Sequence, residues 1–381
     1  MKIQFQKHNR GIAMIIVMVV IVVLGILAGG FAYSMRVEMR LAQQANYDSD
    51  FEWLGRSGVE LARCVLVEEF KNRSVAGTAV DCLNQKWAGG SGGSSTNVLP
   101  DIFLEHVELG KGVVSIKIVD AERKININRI GTPPLLALTQ RLLNQSMIYL
   151  GVDPTEASTI VDSILDWVDQ DNDPRISGTE SSYYLQQDPP YSAKNGPMDD
   201  ITELLLVRGI RDNPAIFWGS NSTNYNPGAF MNKDSWKRNQ EVIDYPFGLN
   251  DLFTTISSGR VNVNTAPQHV LEVILQDPNL ASMIITHRNG PDGQEGTDDD
   301  MPFKTPAEIG GILSGAVPAE FLNTVFAVNS QVFEVQVTCN IGGFTREYVA
   351  LVNRLNQRDV NILTMYWKRG ANASSGSNLD H

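Results

Sequence analysis

Hydrophobic and polar positions divide this chain into regimes of different period. From Ile12 to Ala32 no residue is charged, and such a run makes about 31 Å of helix, enough to cross a bilayer core. Beyond Tyr33 the pattern turns amphipathic, with Met35, Met39 and Ala42 on one stripe and Arg36, Arg40 and Gln43 on another. It continues through Trp53, Leu54, Val59 and Leu61 to about Phe70, interrupted by Gly55 and Gly58. A simple anchor would break into a loop near the membrane, so this pattern predicts a long helical spine.

Strand-like alternation appears at Val113–Val119, then at Val332–Cys339 and Phe344–Val352 on either side of Asn340-Ile341-Gly342-Gly343. The last two runs predict a hairpin. The β material therefore lies before residue 120 and after residue 330, with mostly helical patterning between. The predicted fold class is α+β: a long N-terminal helix packed on a small antiparallel sheet, with a large α-helical domain inserted into it. The expected divisions are 1–11 ahead of the span, 12–32 across the membrane and 33–70 as the helix beyond it. An α/β domain is expected from 71–123 and 321–368, the helical insert from 124–320, and a disordered tail over 369–381. Ala88–Thr96 (AGGSGGSST) has the composition of a flexible loop.

The insert echoes itself. Lys124-Ile125-Asn126-Ile127-Asn128-Arg129 recurs as Arg260-Val261-Asn262-Val263-Asn264-Thr265. Each copy is followed by a helix containing Ala-Ser-x-Ile (Ala157–Ile160; Ala281–Ile284) and then a short acidic-apolar segment (Asp199–Leu205; Pro306–Ile309). Two related helical subdomains are expected, not a solenoid. The second copy resembles a helix-hairpin-helix unit, which makes a membrane-anchored DNA receptor of the competence type, or a type IV pilus or competence minor pilin, the alternative function. Its hairpin turn, Gln276–Leu280, lacks the glycine whose backbone N–H would cradle phosphate, and Asp277 adds an acid.

Charge works against DNA as well. The net charge is −12, and losing Lys2, Lys7 and Arg10 would take it three units lower. Basic residues ahead of the span and an acidic body after it orient the body away from the cytoplasm. Three cysteines suit a compartment that permits disulfides. Cys64 and Cys82 are the candidate pair, leaving Cys339 as a small apolar strand residue. The five histidines are scattered, and no HExxH, G-x-S-x-G or P-loop pattern occurs, so a non-enzymatic protein is expected.

The strongest chemical signal is Asp169-Gln170-Asp171-Asn172-Asp173-Pro174-Arg175-Ile176-Ser177-Gly178-Thr179-Glu180. Carboxylates at positions 1, 3, 5 and 12, a carbonyl at Arg175 and Ser177 at position 9 reproduce EF-hand calcium spacing. Pro174 stands where that loop needs glycine, so the backbone must differ and the ligand set can shift by a residue. A solvated acidic loop is the competing reading, but carboxylates in this register repel one another without a cation. Structural Ca²⁺ is expected, with Asp169, Asp171, Asp173, Arg175, Ser177 and Glu180 as ligands. A second acidic cluster, Asp292–Asp300, has irregular spacing and reads either as another ion site or as a solvated loop. Asp162, Asp166 and Asp169 form a helix face leading into the first loop.

Several stretches together resemble the minor pseudopilin K family of type II secretion. They are RGIAMIIVMVVIVVLGILAGGFAYSMRVEMRLA at the N-terminus, LDWVDQDNDPR through MDDITELLLVRGI in the insert, and VNVNTAP in its second half. The order of basic leader, Gly11 and apolar helix resembles a class III signal. The resemblance implies cleavage by prepilin peptidase after Gly11 and N-methylation of Ile12. Most pilin-like chains carry Glu at the fifth mature position, where this chain has Ile16. The resemblance further implies a SAM-like or helix-hairpin-helix-like insert, calcium in that insert, and a place at the tip of a short pilus. The implied partners are minor pseudopilins I and J, with H as a further candidate, and the major pseudopilin G. The implied location is the inner membrane of a Gram-negative bacterium, with the bulk in the periplasm and no nucleic-acid ligand. Ile16 suits such a tip: a subunit with nothing above it has no neighbouring amine to neutralise an acid in an apolar core.

Overall fold

The apolar and amphipathic runs form one rod. In the computed structural model, which describes residues 10–75, 80–90, 104–131, 135–219, 245 and 247–368, α1 (Arg10–Asn46) is followed directly by α2 (Asp48–Val75). Helical hydrogen bonds from Tyr47 N to Gln43 O (3.3 Å) and from Phe51 N to Tyr47 O (2.8 Å) carry the ladder across the junction. Met14–Lys71 is thus 58 residues of helix, long and apolar enough in its first part to span a membrane. The expected tail, 369–381, most of the leader and the 91–96 part of the Gly/Ser run lie outside the described residues.

The rod's second half packs on a five-stranded antiparallel sheet. In chain order its strands are β1 (Val107–Leu109), β2 (Gly112–Asp120), β7 (Val332–Ile341), β8 (Phe344–Asn356) and β9 (Asp359–Lys368), which is also their spatial order. Phe51, Val59, Ala62, Val65 and Leu66 of α2 are buried against Val114, Ile116, Val335, Val337 and Val352. Burying each of these phenylalanine, valine, leucine and isoleucine side chains contributes about 1.5–3 kcal/mol relative to exposure. Gly55 and Gly58, interruptions in the sequence pattern, are where helix and sheet come closest. A Cβ would lie 2.6 Å from the Tyr348 ring at Gly55 and 2.5 Å from a Val337 methyl at Gly58.

The insert leaves the sheet at the end of β2 and returns at the start of β7, where Asp120 and Phe333 are paired. It contains β3 (Ile125–Asn126), α3 (Leu135–Leu150), α4 (Pro154–Val168), α5 (Ser181–Tyr184), α6 (Ala215–Trp218), α7 (Leu249–Leu252) and β4 (Phe253–Thr254). The second subdomain follows with β5 (Val261–Asn262), α8 (Gln268–Leu275), α9 (Pro278–Arg288), α10 (Pro306–Ile312), α11 (Ala319–Val325) and β6 (Phe326–Ala327). The expected boundary at 321 falls inside α11. Because β6 pairs in parallel with β5, the insert extends past that boundary, and the sheet resumes at Val332.

The sequence echo has a structural cause. Each copy forms a two-residue parallel bridge at its exit, β3 with β4 and β5 with β6. In each, the first Asn caps the second: Asn126 Oδ1 accepts from Asn128 N (2.8 Å), and Asn262 Oδ1 from Asn264 N (3.0 Å). The second Asn then grips one distant residue by both backbone groups. Asn128 holds Met198 N and O (both 2.8 Å), while Asn264 holds Phe303 N (2.8 Å) and O (3.0 Å). One N-x-N motif therefore closes each subdomain.

The insert and the sheet have separate hydrophobic cores, joined through a buried polar seam. Asp120 Oδ2 accepts from Ser330 Oγ and Thr265 Oγ1 (both 2.6 Å), and fully buried Arg354 pairs with Asp81 at 2.6 Å. The seam marks the end of the sheet farther from the apolar part of the rod. Lys111, just before β2, reaches Asp50 near the start of α2 (3.2 Å), whereas Arg354 at the other end reaches the carbonyl of Leu66. Over that interval the helix rises about 24 Å.

Candidate cation site

The amphipathic face of α4 carries the acids that organise the loop after it. Asp162 Oδ2 accepts from Ser177 N (3.1 Å), and Asp166 Oδ2 accepts from Arg175 N (3.1 Å). These two aspartates fold the loop back over the helix through its backbone. Gly178 permits the close approach, since a Cβ there would stand 2.0 Å from Asp166 Oδ2. The Arg175 guanidinium lies 3.2 Å from both Asp166 and Asp169 and offsets part of the charge.

Folding back brings Asp169, Asp171 and Glu180 together, with one carboxylate oxygen of each within 4.8 Å of the others. Glu180 is buried, and both of its carboxylate oxygens, together with Asp169 Oδ1, are buried without a hydrogen-bond partner. Buried acceptors are almost always satisfied, so three orphan oxygens aimed into one acidic cluster fit a hard cation. Burial, and then repulsion from Asp166, Asp169 and Asp171, pushes Glu180 up to about 7. Burial likewise pushes Asp166 up to about 6 and raises Asp169.

The other expected ligands sit differently. Asp173 is exposed and is not among the converging carboxylates; its N–H donates to Asp171 Oδ1 (2.9 Å). Proline at the sixth position cannot take the left-handed turn that an EF-hand glycine supplies, so the fifth side chain does not swing inward. The Arg175 carbonyl accepts from Gly178 N (3.1 Å), and Ser177 is held by its N–H to Asp162. Asn195 escaped the sequence reading. It adopts left-handed φ of 48° and donates from Nδ2 to the Asp171 carbonyl at 2.6 Å. Its buried Oδ1 has no hydrogen-bond partner, so it is a further oxygen beside the cluster. At 24 residues from Asp171 no local spacing could have flagged it.

The second acidic run is self-contained. Asp292 accepts from Gln294 N (2.7 Å), Asp299 from Asp292 N (3.0 Å), and Asp300 from Gly296 N (2.9 Å). Glu295 pairs with buried Arg288 at 2.5 Å. Among the described residues it forms no converging group of three carboxylates.

The cysteine pairing does not occur, for all three cysteines are free. Cys64 lies exposed on α2, while buried Cys82 turns its thiol toward Asn84 Oδ1 (3.0 Å). The turn between α8 and α9 puts Gln276 at φ 59° and uses Asp277 to cap α9 through Asn279 N (2.7 Å). An acid thus occupies the place where a helix-hairpin-helix unit would meet phosphate. Ile16 lies exposed on α1, at 57%; Gly11 and Ile12 lie in its first turns.

Residues 123–214, which contain this site, match the family model described as type II secretion system (T2SS), protein K. An Escherichia coli strain K12 chain assigned to that protein is 26% identical over 211 residues, 54% of this chain and 59% of the relative. That alignment therefore spans less than two thirds of the relative's length. The type II secretion system protein K of Pseudomonas aeruginosa is 22% identical over 366 residues, covering 94% of this chain and 92% of its own. Among solved structures, the fold resembles a chain in the GspK–GspI–GspJ complex of the enterotoxigenic Escherichia coli type 2 secretion system. The TM-score is 0.62 at 19% identity, covering 87% of this chain and all of that one.

Proposed function

Because the chain belongs to the type II secretion protein K family of minor pseudopilins, we propose that it caps the tip of the pseudopilus and helps to initiate its assembly. The role is non-enzymatic. The chain sits in the inner membrane through α1, with its sheet and insert in the periplasm, after prepilin peptidase cleaves between Gly11 and Ile12. The observation that carries the reading is where the insert is attached. It joins the sheet at the end near Leu66, away from the membrane-spanning part of the rod. Mass at that end would collide with a subunit stacked above but projects freely from the last subunit. Ile16 supports the same position, since an aliphatic side chain asks for no charged partner from above.

Minor pseudopilins I and J, the companions of the related fold in its solved complex, are the proposed partners, with H as a further candidate and the major pseudopilin G forming the shaft below. Ca²⁺ is proposed as a structural ion held by Asp169, Asp171 and Glu180, with the Asn195 amide oxygen as an added ligand. Bound there, it would neutralise the loop and fix it against α4. Co-isolation of the full chain with pseudopilins I and J from membranes tests the assignment. Recovery of the ternary complex is expected. Failure to recover it, alongside DNA binding at physiological salt, would replace this reading with the competence-type receptor.

A further inference from the structure

The insert and the sheet keep separate hydrophobic cores, so the polar seam between them is what holds one to the other. Beside the seam the two bodies stand apart: a cleft of about 430 Å³ parts Thr254–Ile256 of the insert from Glu334, Leu351 and Tyr366 of the sheet. At the centre of the seam lie three buried carboxylates, Asp81, Asp120 and Glu122, and one buried cation, Arg354. Arg354 is committed to Asp81, with Nη2 2.6 Å from Asp81 Oδ1 and 3.0 Å from the Ser330 carbonyl. Asp120 and Glu122 are left to other donors. The remaining charged groups are turned elsewhere. Glu69, from α2, faces Asp81 and Arg354 and accepts from Lys86 N (3.2 Å). Lys124 gives its ammonium to the Asn250 carbonyl (2.7 Å), and Arg123 lines an outer cleft with Lys86 and Lys117.

The two carboxylates are provided for differently. Glu122 Oε1 accepts from the backbone N–H groups of Gln331 (2.9 Å), Ser258 (3.3 Å) and Val332 (3.4 Å), and Oε2 from Ser258 Oγ (2.6 Å). Backbone donors cannot reverse, so these bonds favour the charged form. Asp120 has one such donor, Glu122 N on Oδ1 (2.8 Å). Its Oδ2 faces Thr265 Oγ1 and Ser330 Oγ (both 2.6 Å) and Asn262 Nδ2 (3.2 Å). A hydroxyl can turn around, and Thr265 has somewhere to turn, because the Asn262 carbonyl lies 3.4 Å from its Oγ1. With a proton on Oδ2, Asp120 would donate to Thr265 Oγ1 and Thr265 to that carbonyl, and each group would keep a partner. Burial raises Asp120 above the ordinary carboxylate range, and the Asp81 charge adds to it, against the hydrogen bonds that Asp120 accepts.

We propose that Asp120 holds a proton at neutral pH, and that this proton fastens the insert to the sheet. Thr265 and Asn262 belong to the insert's second subdomain, while Asp120 ends β2 and Ser330 leads into β7, so the protonated network crosses from one body to the other. Releasing the proton leaves a buried charge without a cation beside ionised Glu122, and the seam opens to hydrate it. An acid raised in the fold contributes stability that is lost as pH rises through its folded value. The joint is therefore firm in mild acid and loosens toward alkaline pH. This device goes beyond the pseudopilin assignment and does not depend on it.

Asp120→Asn, which imitates the protonated side chain, tests the joint in the detergent-solubilised full chain. At neutral pH the infrared difference between parent and variant should contain the carbonyl band of a protonated carboxyl. Spin labels on exposed Cys64 and on Met283→Cys, at an exposed site of α9, report the joint, since Cys82 and Cys339 are buried. In the parent their distance distribution should be about twofold broader at about pH 8.5 than at about pH 5.5. With Asp120→Asn it should stay narrow at both. Over that interval, at fixed calcium, the parent should lose about 2–4 °C of melting temperature relative to the variant. Thr265→Val serves if Asp120→Asn does not fold. It removes a donor to the charged form, which outweighs the acceptor lost to the neutral form, so the broadening should move to higher pH. A difference spectrum without the carboxyl band would overturn the proposal. So would equal broadening in parent and Asp120→Asn, no broadening in the parent, or a Thr265→Val midpoint that stays or falls.

Discussion

The loops at 169–180 and 292–300 are both rich in acid and occupy corresponding places in the two subdomains, yet they solve opposite problems. In the second loop Asp292, Asp299 and Asp300 accept hydrogen bonds from the loop's own backbone, and Glu295 is matched by Arg288. In the first, the backbone N–H groups of Arg175 and Ser177 are taken by Asp166 and Asp162 from the helix below. Asp169 and Glu180 are left with buried oxygens that nothing satisfies. Acid density alone does not mark a cation site; acceptors that the fold leaves without donors do.

The sharpest way to break this contrast is to change the cation. Saturating Ca²⁺ should stabilise the detergent-solubilised full chain by about 2.7 kcal/mol at a hundredfold excess over Kd, a melting shift of about 5–10 °C. Glu180→Gln with Asp169→Asn should abolish the shift. The same pair should melt above the cation-free parent in EDTA, because it removes buried charges that lack partners. A loop serving only as a helix cap would instead be destabilised by those changes, and that outcome would sink the site. Gly178→Ala comes next, at about 1–3 kcal/mol, since its methyl meets Asp166 Oδ2 and must push the loop off α4. Urea melts should show the loss, and calcium titration a weakened affinity.

Proton competition is smaller and has a definite sign. Glu180 is raised to about 7 from an ordinary 4.5, because burial and neighbouring carboxylates disfavour its charge. Stability without a cation therefore falls as pH rises from about 4.5 through 7, the interval in which the unfolded chain has released this proton and the fold has not. Calcium needs the ionised form, so its apparent affinity should drop about tenfold or more from pH 7.5 to 5.5. Equal calcium shifts at the two pH values would remove Glu180 from the ligand set.

What the sequence disclosed follows the range of the forces involved. The spine, the hairpin about Gly342-Gly343 and the doubled N-x-N motif are local patterns, and the structure forms all three. Strand β9 was hidden because its register slips at Leu351/Val352, so Ile362 and Met365 both face α2 and no simple alternation survives. The insert boundary was misplaced because the parallel bridge of β6 to β5 spans 65 residues in register. The grouping of Asp169, Asp171 and Glu180 was legible from spacing, and the structure brings their carboxylates together. The exclusion of Asp173 depends on the proline turn, and Asn195 depends on a loop that returns from a distance. Cys64 and Cys82 were close in sequence, but a helix face turned to solvent kept one thiol away from the other.

The smallest effect tests the comparison from its other side. Asp292→Ala removes the acceptor for Gln294 N in the second loop, one hydrogen bond in an exposed turn, and should cost below about 1 kcal/mol. The calcium-induced melting shift should be unchanged, because the carboxylates of that loop are held by its own backbone and by Arg288. If Asp292→Ala instead cut the calcium shift by half, the hydrogen bonds in the second loop would have to open for an ion to bind. Satisfied acceptors would then be no guide to where cations settle, and the first loop would lose its claim to be different.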